Sequence, residues 1–120
     1  MKETLTQLVA TRAGTLAVLL LAACLEAYGD SCFQQGLYRS SGIARYSSFA
    51  LGALALACYG LVVNTPPWDF GKLLGLYVVL FFLVAQVLAK IRFQQTPTLP
   101  VVVGGGLIVA GGAVITLWKG

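Results

Sequence analysis

The chain has 120 residues, of which 58% are apolar and only 10% charged, and its mean hydropathy is +0.86. A soluble domain usually carries roughly 25% charged residues, so this composition excludes a small soluble protein, and disorder is excluded because it requires low hydrophobicity. The eight Lys/Arg and four Asp/Glu give a net charge of +4, but the basic residues are scattered singly, unlike a nucleic-acid-binding surface. With no His, the chain also lacks the commonest metal ligand and the usual general base. What remains is an integral membrane protein.

A spanning helix needs about 20 mainly apolar residues, and the chain offers four such runs. Met1 to Arg12 reads as a short interfacial helix ahead of them. The first span runs from about Ala13 to Leu37. Lys2 and Arg12 ahead of Leu21-Ala22-Ala23-Cys24 imitate a lipoprotein signal. A cleavable signal has an apolar core of about 7–15 residues, whereas this run continues past Cys24 to Leu37, so it reads as a retained span. Arg39-Ser40-Ser41-Gly42 is a polar turn. The second span is about Tyr46 to Val63, closed by Asn64-Thr65-Pro66-Pro67-Trp68-Asp69, where Trp68 suits a membrane interface. The third is about Phe70 to Ala89. Arg92 to Thr98 connects it to the fourth, Leu99 to Trp118, where Pro100 fits a first helical turn. Short connectors keep neighbours together, which predicts one domain over residues 1–120: an all-α, up-down bundle of four transmembrane helices. Cys24, Cys32 and Cys58 all lie in apolar runs and read as plain thiols, with no disulfide framework or metal site.

Orientation in the membrane follows Lys/Arg in short flanking loops. One side of this topology carries Lys2, Arg12, Lys72 and Lys119, and the other carries Arg39, Arg45, Lys90 and Arg92: four against four. Two readings follow. Either folding or a partner sets the orientation, or the chain inserts both ways up and pairs as an antiparallel homodimer.

Glu26 lies near the middle of the first span. An ionisable group at that depth costs about 2.5–3.5 kcal/mol on insertion scales and reads as functional by default. Asp30, four residues on, shares its helical face. Two carboxylates this close in a low dielectric resist carrying both charges at once, which suits exchange of a proton for a cation. Asp30 has a second reading, as a counter-ion to Lys90 or Arg39. Gln34 and Gln35 extend the polarity of this span, and Gln86 in the third span reads as an interhelical hydrogen-bonding group. Among the tyrosines in or near the spans (Tyr28, Tyr38, Tyr59 and Tyr77), Tyr59 and Tyr77 are best placed to offer an aromatic face to a cation, worth about 0.5–2 kcal/mol. The fourth span has no charge and five glycines between Val103 and Ala113. Its Gly104, Ile108 and Gly111 form one small-residue stripe, which reads as an association surface or as packing within the chain.

These residues resemble the small multidrug resistance family of the drug/metabolite transporter superfamily. Leu25-Glu26-Ala27-Tyr28-Gly29 is similar to that family's first-helix signature, an acid followed three residues later by Gly. Gly71 to Pro100 is similar, without gaps, to its third helix and last loop, with Tyr77 where the family commonly has a binding-site Trp. Gly104 to Gly111 is similar to its Gly-rich dimerisation motif. The resemblance implies an antiparallel homodimer in a bacterial or archaeal inner membrane that exports cationic compounds or guanidinium in exchange for protons, without a cofactor. Three departures stand out: Asp30 is an additional acid, Tyr77 replaces Trp, and Val78-Val79-Leu80-Phe81-Phe82 lacks the family's small-residue pattern. The competing expectations are a superfamily carrier subunit for lipid-linked or polar metabolites, polyamines included, and a non-transporting assembly protein. An enzyme is not expected, because a chain without His offers no Ser-His or Cys-His pair.

Overall fold

The computed structural model describes residues 12–118. The interfacial helix expected over residues 1–12 lies outside them except for Arg12, and so does Lys119. Four helices follow one another: α1 (Arg12–Tyr38), α2 (Gly42–Val63), α3 (Phe70–Phe93) and α4 (Leu99–Leu117). Each is long and apolar enough to cross a membrane.

Two boundaries lie outside the expected spans. Helix α2 begins four residues before Tyr46, where Gly42 takes a positive φ of 62° and the chain reverses. Helix α3 runs past Ala89 through Lys90 and Arg92 to Phe93, and Gln94 ends it in a left-handed conformation. Cations in a last turn interact favourably with the negative end of the helix dipole and reach for the interface along their own apolar stems. The first charge therefore does not mark the helix end. At the end of α2, Asn64 Nδ2 donates to the Gly60 carbonyl and Thr65 Oγ1 to that of Leu61. These bonds satisfy carbonyls that the helix leaves open.

Neighbouring helices alternate in direction. Helix α1 packs between α2 and α3, while the backbone of α4 approaches α3 alone. The order is therefore a curved row, α2-α1-α3-α4, whose ends do not close on each other. Small residues bring α1 into the centre: Ala22, Ala23, Ala27 and Cys32 are buried. At the α1–α2 crossing, a Cβ on Gly52 would lie 2.9 Å from the Gly29 carbonyl oxygen, and a Cβ on Gly29 would lie 3.0 Å from that of Gly52. In lipid, such close packing takes over the role that the hydrophobic effect plays in water. Leu19, Val63, Leu73 and Tyr77 join α1, α2 and α3 in one apolar cluster.

The glycines of α4 divide into two sets. Gly105 and Gly112 are buried against Phe82 and Val79 of α3. Gly104, Gly106 and Gly111 face open space, with no atom within 4 Å of an added Cβ. Of the expected stripe, Gly104 and Gly111 are thus unused within the chain, and Ile108 is half-buried. The packing of α4 on α3 falls instead to Gly105 and Gly112, one position further round the helix.

Candidate functional site

Glu26 stands fourteen residues after Arg12 and twelve before Tyr38, at the middle of α1. Helices α1 and α3 run in the same direction, and the middle of α1 faces the first third of α3, where Tyr77 stands seven residues after Phe70. There the Tyr77 hydroxyl donates to Glu26 Oε1 at 2.8 Å. The Tyr77 ring is almost fully buried. It lies 5.6 Å from the Tyr59 ring of α2 and 6.1 Å from the Phe81 ring of α3, centroid to centroid. Glu26, Tyr59, Leu74, Tyr77, Val78 and Phe81 line a cavity of about 230 Å³ that is open on one side. The structure thus brings together Glu26, Tyr59 and Tyr77, three of the residues singled out in the sequence. A carboxylate beside aromatic faces can hold a cation by charge and by the ring quadrupoles.

Asp30 does not line that cavity. It borders a neighbouring one of about 270 Å³, together with Gln34, Gln95 and Phe81. Lys90 and Arg39, the counter-ions of the second reading of Asp30, have other contacts. Lys90 Nζ donates to Thr96 Oγ1 at 2.9 Å, and the Arg39 guanidinium lies 4.8 Å from the Phe93 ring centre. Arg92 covers the Tyr28 ring at 5.3 Å. Tyr38 is exposed at the end of α1, outside the site. Gln86 lies on another face, in the groove between α3 and α4.

The sequence reading passed over Phe81, which walls both cavities. Its signal was available: Phe81 follows Tyr77 by the same four residues that separate Asp30 from Glu26. Compared with models of known families, with curated proteins and with solved structures, the chain matches none.

Proposed function

We propose that the chain is a proton-coupled exporter of small organic cations, such as drug-like cations, guanidinium or polyamines. It works as an antiparallel homodimer, akin to a divergent branch of the small multidrug resistance family in a bacterial or archaeal inner membrane. The observation that carries this reading is the Glu26 carboxylate at mid-membrane, held by the Tyr77 hydroxyl beside an open, ring-lined cavity. A single carboxylate that binds either a proton or a cation, but not both, is sufficient for exchange. The cavity is smaller than the roughly 300–1,000 Å³ typical of drug-sized ligand sites, which favours small cations.

The homodimer reading draws on two features. One chain leaves the Glu26 cavity open, and α4 turns Gly104, Gly106 and Gly111 away from its own chain. Gly104→Leu and Gly111→Leu are expected to leave the single chain folded but monomeric in mild detergent. Gly105→Leu and Gly112→Leu are expected to displace α4 from α3. Cross-linking read beside helical circular dichroism separates the two outcomes. If Gly104→Leu and Gly111→Leu both stay dimeric, the interface lies elsewhere.

Dual insertion is the matching expectation from the balanced Lys/Arg count. C-terminal reporter fusions should report both orientations in comparable amounts, and two or three added Lys on one side should bias them. A single orientation for the unmodified chain would reject dual insertion. The transport reading itself is tested by flux into proteoliposomes with guanidinium, tetraphenylphosphonium and spermidine under an imposed proton gradient. Uptake of at least one, dependent on the gradient, is expected. No flux for any of them would favour an assembly role or a carrier of lipid-linked or polar metabolites.

A further inference from the structure

We propose that the cavity beside Asp30 is a second cation-binding station, in series with the Glu26 site and divided from it by the Phe81 ring. Its ligand is a small organic cation bearing N–H donors, a guanidinium or primary ammonium group. This inference rests on the transport reading above and deepens it.

The geometry is that of two levels on one face. Along α1, Asp30 lies one turn beyond Glu26; along α3, Phe81 lies one turn beyond Tyr77. Because α1 and α3 run in parallel, each carboxylate meets an aromatic ring at its own level. Of the residues that line the two cavities, Phe81 alone is common to both. The two acids therefore do not form one shared dicarboxylate site.

The Asp30 cavity is also the more polar in its residues. Beyond the carboxylate it offers the side-chain amides of Gln34 and Gln95; all three residues are exposed on the open side of the cavity, where an incoming cation can reach them. A carbonyl oxygen from each amide, added to a carboxylate, suits a planar cation with several N–H groups. Among the described residues, the cations on the same side of the topology as Asp30 have other contacts. Lys90 is on Thr96, Arg39 on the Phe93 ring, Arg92 on the Tyr28 ring, and Arg45 on the carbonyls of Gly36 and Ser40. A carboxylate placed inside a spanning helix without a counter-ion is costly to maintain, and a transient cation would offset that cost.

The location fits a staging role. Asp30 precedes the end of α1 at Tyr38 by eight residues, or about 12 Å at 1.5 Å per residue. Gln95, which lines the same cavity, belongs to the α3–α4 connector. A cation arriving from that side meets Asp30 first and reaches Glu26 by moving past Phe81, in one short step between carboxylates.

Equilibrium binding of radiolabelled guanidinium to the purified full-length chain in detergent tests this. The wild type is expected to bind two guanidinium ions per chain, Asp30→Asn and Glu26→Gln one each, and the double variant none. Gln34→Leu leaves every charge in place and is expected to weaken the outer site about tenfold, the loss of one hydrogen bond to a charged ligand, with the inner site unchanged. Asp30→Asn binding with wild-type stoichiometry and affinity would overturn the second station and leave the Glu26 reading standing. Glu26→Gln binding none while the wild type binds would also overturn it. A wild type that binds no guanidinium would remove both.

Discussion

Glu26→Gln is expected to reduce proton-driven cation flux in proteoliposomes to the level of empty vesicles while the chain still folds. The Gln side chain keeps the size of Glu and keeps an Oε1 acceptor for the Tyr77 hydroxyl, the bond that ties α1 to α3 at this level. What it loses is the charge that attracts a cation and the ability to take up a proton. The same variant should therefore show wild-type helicity and thermal unfolding, which separates lost coupling from lost structure. Tyr77→Phe makes the complementary change. It keeps the buried ring and removes the hydroxyl that orients the carboxylate. A hydrogen bond to a charged group is worth about 1.5–3 kcal/mol, so flux is expected to fall roughly tenfold or more without being abolished. Undiminished gradient-driven flux in Glu26→Gln would place coupling elsewhere.

Gly52→Leu is expected to have the largest effect on the fold. Its Cβ would stand 2.9 Å from the Gly29 carbonyl oxygen and 2.9 Å from the Phe33 ring. The ring can rotate away, but a helix carbonyl moves only with its helix, so α1 and α2 must separate. Overpacking a close contact costs about 1–3 kcal/mol and occasionally more. A whole leucine against backbone belongs at or above the top of that range. Unfolding in mixed detergent and sodium dodecyl sulfate should show a loss of at least about 3 kcal/mol. Gly29→Leu, which meets the Gly52 carbonyl and Leu56, should behave alike. Gly60→Leu is the control: no atom lies within 4 Å of its added Cβ, and its stability should stay close to wild type. Equal stability of the Gly52 and Gly60 variants would show that the α1–α2 crossing is looser than the structure has it.

The number and order of the helices were legible because length and hydropathy decide them, and no tertiary contact is needed to see a run such as Leu99 to Leu117. The row they form was not legible. Whether α4 closes against α1 or stands on α3 alone depends on which glycines meet which side chains, and Gly104 and Gly105 look equally suitable in the sequence. Residues 105 and 112 are set against α3 by where Phe82 and Val79 project, which is a property of the helix pair. At the site, Glu26 was legible from its depth and Tyr59 and Tyr77 from their place within spans. Their meeting was not, because it requires α2 and α3 to curve round α1. The separation of Asp30 from Glu26 was hidden for a related reason. Spacing along α1 puts the two acids on one face, but they line two different cavities, which share only Phe81 of another helix.

In the proposed cycle, Glu26 exchanges a proton for a cation. Proton release on cation binding measures this directly. Guanidinium is added to concentrated wild-type protein in weakly buffered detergent solution, and the pH change is read beside the same addition to Glu26→Gln. The wild type is expected to release protons in an amount that saturates with cation binding, Glu26→Gln to release none, and Tyr77→Phe to retain the release. Cation binding by the wild type with no proton released, or equal release from Glu26→Gln, would contradict it.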